Sequence, residues 1–276
     1  VNPQLGLVRE AHAPSAVYAM AEADEKLACD LVRRAGERLD ATHWMMVGGT
    51  KSVAGRLGRV LEHRIFDQET GPHSPESFVD DYRDYEARSV HVVIVDEEGI
   101  AGAARTIWSP TADEPTKAEV DLGFGNGELR ARERLVERYG TPALFELATT
   151  VVEARARHSH VTGWVLGEMR YQQMCTQPEA PSCAIVVRPF YRMISVWGHE
   201  LHPLGGLDPI EYYGQPNQPA FFEPGPQMQI SKSQLYSKLS NGWLSRVDRP
   251  LGAGAVEFAQ TSSVTIDISE SEIPVS

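Results

Sequence analysis

Apolar residues between Ser15 and Leu39 (Val17, Met20, Leu27, Leu31, Ala35, Leu39) recur at helical spacing with Ser15 placed to cap them, which predicts a long first helix. Residues 44 to 61 carry Gly48-Gly49 and then a weaker helical pattern. Ser74-Pro75-Glu76 combines a cap, a first-turn proline and an early acid, and predicts a short helix as far as Glu86. The period then changes. VHVVIV (90–95) and IAGAARTIW (100–108), joined by DEEG, read as a β-hairpin. After an irregular stretch rich in Asp, Gly and Pro, ELRARERLVERY is helical and Gly140 stops it. ALFELATTVV (143–152) and CAIVV (183–187) read as strands, with a helix between them that carries Val161, Trp164, Val165, Met169 and Gln172 on one face and ends near Cys175. A helix over 189–197 and a strand at QPAFFE (218–223) follow.

This order predicts an α/β (α+β) protein, with a mixed, mainly antiparallel central sheet flanked by helices. It divides into an N-terminal helical segment (1–60), a core (61–225) and a C-terminal extension (226–276) packing on the core or on a partner subunit. In that extension SKSQLYSKLSNGWLSR (231–246) reads as a helix, and VTIDISESEI as an edge strand or an arm onto a second copy of the chain, which would make a homodimer.

A chain of 276 residues can bury a core large enough to fold without disulfides. Its cysteines (Cys29, Cys175, Cys183) have no paired spacing, which fits a reducing, cytoplasmic setting and gives no metal motif. The apolar runs are short, and VNPQLGLVRE lacks a basic flank followed by a hydrophobic segment, so neither a membrane span nor a secretory signal is expected. A formal net charge of -12 argues against a nucleic-acid partner, because phosphate binding needs clustered Lys and Arg. Two segments run against that charge. RARERLVER (130–138), interleaved with glutamates, reads as a solvated helix face, whereas RARHSH (155–160) is a compact basic turn.

Strand alternation places Leu144, Glu146, Ala148, Thr150 and Val152 on one face, and Phe145, Leu147, Thr149 and Val151 on the other. Glu146 is then alone among apolar neighbours. A carboxylate in that setting is either paired or has its pKa raised, so it is a candidate acid, base or substrate anchor, or else half of a structural ion pair with Arg105. Arg155, Arg157, His158 and His160 precede a helix N-terminus, a combination suited to phosphate; charges flanking a surface helix are the alternative. GFGNG (123–127) lacks the preceding strand and the lysine of a P-loop, HELHP (199–203) lacks the histidine spacing of a zinc protease, and no G-x-S-x-G elbow occurs.

DDYRDYEARSVHVVIVDEEGIAGAARTIWSP, then LFELATTVV, FYRMISVWGHELHPLGG and EYYGQPNQPAFF, resemble the GNAT-type branch of acyl-homoserine-lactone synthases and N-acyl amino acid synthases, over residues 60–223. In that branch an acidic pair precedes a hairpin ending in Arg, and a later strand carries Glu with Arg three residues on. Asp81 and Asp84 match the acidic pair, Arg105 the hairpin arginine and Glu146 the glutamate. Thr149 stands where the lactone synthases have the second arginine, and the aromatic between the acids is displaced to Tyr82. The missing arginine argues against S-adenosylmethionine as acceptor and for another amine, such as an amino acid.

The resemblance implies a GNAT-like core over 61–225 whose sheet splays beside residues 143–152 to admit a pantetheine arm. It implies no tightly bound cofactor, with acyl-CoA or an acyl-carrier protein as co-substrate; the carrier would dock on RARHSH, and coenzyme A would place its pyrophosphate there. Val151, Arg155, Arg157, His158, His160 and Thr162 would bind the donor. Asp81, Asp84, Phe145 and Thr149 would bind the acceptor. Glu146 would take the amine proton directly or through water, with Arg105 beside it, and Tyr191 would either protonate the leaving thiolate or pack. The competing expectations are a GNAT-shaped module that binds an acyl thioester or a protein partner without turnover, a synthase that does use S-adenosylmethionine, and aminoacyl transfer from tRNA.

Overall fold

The computed structural model describes residues 18–71, 75–123, 132–196, 201–204 and 208–222. In chain order they form α1 (Glu22–Ala35), β1 (Glu37–Arg38), β2 (Trp44–Gly49), α2 (Val53–Thr70) and α3 (Pro75–Tyr82), which runs into a 3₁₀ turn (Arg83–Arg88). The hairpin of β3 (Ser89–Val95) and β4 (Ile100–Ser109) is followed by α4 (Lys117–Asp121), α5 (Arg132–Tyr139), β5 (Leu144–Val152) and α6 (Val161–Thr176). Then come β6 (Ser182–Val187), α7 (Arg188–Val196), β7 (Leu201–Pro203), β8 (Ile210–Tyr212) and β9 (Gln215–Phe222).

Local chemistry sets two helix starts that matter for the site. The Ser52 hydroxyl accepts the Gly55 N–H at 3.1 Å and caps α2. A Cβ on Gly55 would lie 2.4 Å from the Thr50 carbonyl oxygen, so this turn requires glycine. At α4 a capping box closes: the Glu119 carboxylate accepts the Thr116 N–H at 2.7 Å, and the Thr116 hydroxyl accepts the Glu119 N–H at 3.3 Å.

The strands form one sheet in the order β1-β2-β3-β4-β5-β6-β9-β7, with β8 sharing the far edge of β9. Every pairing is antiparallel except β5 with β6. Val32, Leu57 and Leu61 of α1 and α2 pack with Val93 and Ala103 on one face; Val165, Met169 and Ile194 of α6 and α7 pack with Val92 and Ala104 on the other. This is the mixed, mainly antiparallel sheet flanked by helices that the sequence predicts.

Several expectations change. The first helix begins at Glu22 and stops before Gly36, whose N–H goes to the Val32 carbonyl, so Leu39 lies beyond it. Residues 44–49 are a strand paired with β3 from Trp44↔Val95 to Gly49↔Val90. Among the described residues before 61, β2 belongs to the sheet, and the expected boundary at 60/61 falls inside α2. The helix expected at 231–246 and the tail lie outside the described residues, as do parts of GFGNG and HELHP.

The alternation along β5 is broken. Arg105 faces Thr149 while Thr106 faces Leu147, so Ala148 is an extra residue, a β-bulge. Past it the parity reverses: Thr149 and Val151 face α2, and Thr150 and Val152 face α6. Glu146 and Thr149, expected on opposite faces, therefore share one.

Candidate active site

The parallel ladder between β5 and β6 is two pairs long, Phe145↔Ser182 and Glu146↔Cys183. Beyond it the strands part, and a cavity of about 420 Å³ opens between Leu147–Val152 and Ile185–Val187. Phe66 of α2, Phe190 of α7 and Phe222 of β9 close its sides. Among the described residues, backbone groups on this edge of β5 have no ladder partner, so they are free to pair with an extended ligand. Arg157, in the turn after β5, and Thr162, in the first turn of α6, line the cavity past the end of β5; Leu147, next to the ladder, lines its closed end, and Tyr82 and Tyr212 line it as well.

Glu146 is buried next to that closed end, 4% exposed, with its carboxylate accepting the Ala118 N–H at 2.9 Å. Burial pushes its pKa up to about 7, against the opposing pull of the Ala118 and Lys117 N–H groups and the Lys117 charge; Asp121 adds to the rise. Its neighbours are Lys117 and Asp121 of α4, Tyr85 and Tyr212. Arg105 pairs with Glu62 instead, so the ion pair that was the alternative reading of Glu146 does not form.

Lys117 is nearly buried. Its ammonium donates to the Tyr212 hydroxyl at 3.0 Å, pairs with Asp121, and lies 5.4, 5.5 and 5.8 Å from the ring centres of Tyr82, Tyr212 and Tyr213. All three tyrosines line the cavity, with Lys117 behind them. Tyr213 and Gly214 form the two-residue turn between β8 and β9, with φ of 49° and 68°. An aromatic residue is costly in that left-handed position, where Asn or Gly is usual. Here the Tyr213 ring packs on Phe66 and Phe78, and its hydroxyl donates to Asp81 at 2.8 Å. Burial pushes the Tyr212 and Tyr213 hydroxyls far above the usual phenol range, so both remain neutral donors.

Lys117 acts on Glu146 as a nearby positive charge, so Lys117→Met is expected to raise the Glu146 pKa further. In any activity that needs ionised Glu146, the acid limb of the pH profile would move from about 7 to higher pH. An unmoved limb would separate the two residues.

Arg105 lies behind the wall of the cavity. It donates to Glu62 at 2.6 Å, to the Tyr18 hydroxyl at 2.9 Å and to Glu86 at 3.4 Å, with its guanidinium 3.8 Å from the Tyr82 ring centre. Burial alone would lower the Arg105 pKa, but Glu62 and its neighbours hold it above the ordinary value. Burial pushes the Glu62 carboxyl up while Arg105 and the Thr149 hydroxyl pull it down. Burial, with Arg105 and Arg59 close by, keeps His91 neutral.

The expected site residues separate. Thr149, Val151, Arg157 and Thr162 line the cavity. Arg157 pairs there with Glu69 and donates to the Val152 carbonyl at 3.3 Å. Arg155 turns away, to Asp96 and to the Ile100 carbonyl at 3.0 Å. His160 sits against Trp164, and His158 is exposed; neither lines the cavity. Phe145 packs on Trp108, Asp84 is exposed, and the Tyr191 hydroxyl donates to the Leu201 carbonyl at 3.1 Å, within the core on the α6 side. The geometry therefore gives Arg155, His158, His160, Phe145, Asp84 and Tyr191 no place at the cavity. Sequence reading missed Lys117, Glu62 and the Tyr212-Tyr213 turn. Among the described residues no cluster of His, Cys, Asp or Glu is arranged to hold a metal, and no helix is long and apolar enough to cross a membrane.

No protein-family model matches the sequence, and no curated protein does. Among solved structures the chain is similar to TofI in a ternary complex with an inhibitor and MTA, at 19% identity over 67% of this chain and 93% of that one, with a TM-score of 0.47. It is similar to BjaI, a CoA-dependent acyl-homoserine lactone synthase, at 13% identity over 72% and 88%, TM-score 0.43. Arylalkylamine N-acetyltransferase 2 of Aedes aegypti matches at 11% identity over 58% and 86%, TM-score 0.39.

Proposed function

We propose that the protein is an N-acyltransferase that moves an acyl group from the thioester of coenzyme A or an acyl-carrier protein to the amine of an amino acid or a related small molecule. The observation that carries this reading is the parting of β5 from β6. It leaves a slot with strand backbone lacking a ladder partner along one wall, a cation at one end and, beside the other, a buried carboxyl whose pKa is raised to about 7. An extended pantetheine amide can pair with that backbone as a strand would, placing its phosphate toward Arg157 and its thioester near Leu147. Glu146 does not line the cavity, so it would take the acceptor's proton through a water molecule.

The test is release of free thiol from a panel of acyl thioesters in the presence of pooled amines. Amine-dependent release is the expected result. A donor that raises the melting temperature without being consumed would move the protein to the class of binding modules. Arg157→Glu is expected to raise the KM for the donor about tenfold or more while changing kcat less, because a phosphate contact far from the reacting carbon contributes binding rather than chemistry. Equal donor KM in the two proteins would remove Arg157 from the donor site.

A further inference from the structure

An acceptor that arrives as an ammonium ion has two protons to lose before it is an amide. One leaves to expose the lone pair; the other leaves once nitrogen has bonded to the thioester carbon. In the acyl-transfer reading, on which this inference rests, Glu146 accounts for the first. A second buried carboxylate lies on the same face of the sheet. Glu62 of α2 is 1% exposed, and Arg105 holds its Oε2 at 2.6 Å. Its Oε1 is buried with no hydrogen-bond partner. Thr149 stands between this carboxylate and the cavity: it lines the cavity wall, and its hydroxyl bears on Glu62. The bulge at Ala148 makes this possible, since regular alternation would have turned Thr149 to the opposite face from Glu146.

We propose that Thr149 receives the second proton from the acceptor nitrogen and relays it to Glu62. As the tetrahedral adduct forms, its N–H proton passes to Thr149 Oγ while the Thr149 proton passes to Glu62. The C–S bond then breaks, and sulfur leaves with the electron pair as a thiolate. The proton returns through Thr149 to the thiolate, leaving amide, free thiol and an ionised Glu62; the first proton leaves Glu146 for solvent. Thr149 is the catalytic residue here, and Glu62 positions and discharges its hydroxyl. The groups facing Glu62 are Arg105 of β4, Arg59 of α2, Glu86 of the 3₁₀ turn, Tyr18, Tyr82 of α3 and Tyr213 of the β8–β9 turn. Burial raises the Glu62 pKa on balance, which makes it a better proton acceptor, and Arg105 pulls against that rise.

With an amine and thioester that the wild-type protein turns over, kcat and KM are measured for Thr149→Val and Thr149→Ser. Valine keeps the shape and loses the hydroxyl, so kcat is expected to fall about 100-fold with KM within about threefold; serine restores kcat to within about fivefold of wild type. The valine deficit is expected to shrink with weakly basic amines, whose adducts give up the proton readily, a trend that a packing defect would not produce. Thr149→Ala gives the same comparison if valine compromises folding. A kcat within twofold of wild type for Thr149→Val, or a serine variant no faster than the valine one, overturns the relay while leaving acyl transfer intact. No thiol release by the wild-type protein with any amine overturns both.

Discussion

Glu146→Gln is expected to lower turnover at least about 100-fold and, at pH 8, to raise the melting temperature. The two effects have one origin. The folded protein holds the Glu146 carboxyl at about 7 against an ordinary value of 4.5, mainly because burial penalises the charged form. Between those values the folded state binds more protons than the unfolded state, so stability is greatest below 4.5 and falls as pH rises through 7. A displacement of that size corresponds to about 3 kcal/mol at pH 8. Glutamine carries no charge and can still accept the Ala118 N–H through its carbonyl oxygen, so it escapes the penalty while losing the base. Melting curves at pH 5 and pH 8 give the check: the variant should gain on wild type at pH 8, and the gain should fade toward pH 5. A variant destabilised at pH 8 would mean that the charge is part of the scaffold, and the acid-base role would go with it.

Glu146 was legible because a lone acid in a long apolar strand has few innocent explanations, and Arg105 because it closes a hairpin in a recognisable string. Both lie on the expected elements, but the ion pair between them, the alternative reading of Glu146, does not form. The arginine's partner is Glu62, an acid within an ordinary amphipathic helix, VLEHRIFDQE, and nothing local distinguishes it from the solvated acids around it. The bulge at Ala148 has no periodic signature, yet it reverses the facing of every later residue of β5 and brings Thr149 round to Glu62. RARHSH reads as one charge cluster, but charge pattern carries no direction; the turn sends Arg157 to the cavity and Arg155 to the β3–β4 turn. Lys117 and the Tyr212-Tyr213 turn lie far apart in the chain and meet only through the β8–β9 hairpin. The capping box Thr116-x-x-Glu119 was present as a signal for α4, hidden in a stretch whose prolines and aspartates read as irregular. Strands of three residues, such as β7 and β8, are too short for a period to register.

Arg105→Met is expected to cost about 3–5 kcal/mol of stability at pH 7.5. Arg105 is fully buried, and its loss leaves the Glu62 carboxylate with no cation of comparable reach: Arg59 bonds to Glu86 and to the Gly55 and Thr50 carbonyls instead. Uncompensated, Glu62 would take up a proton, so the variant's deficit should shrink as pH is lowered toward 5, the direction expected for an acid whose folded pKa has been raised further. Pairing the change with Glu62→Leu removes the stranded charge. The double variant should regain much of what the single one lost, because apolar side chains of similar volume replace a buried ion pair at little cost, and a double-mutant cycle isolates that coupling. The same cycle separates scaffold from chemistry. With stability recovered, the double variant should still turn over slowly, since Thr149 then has no carboxylate to receive its proton. An Arg105→Met protein as stable as wild type would instead mean that the Arg105–Glu62 pair carries no part of the scaffold.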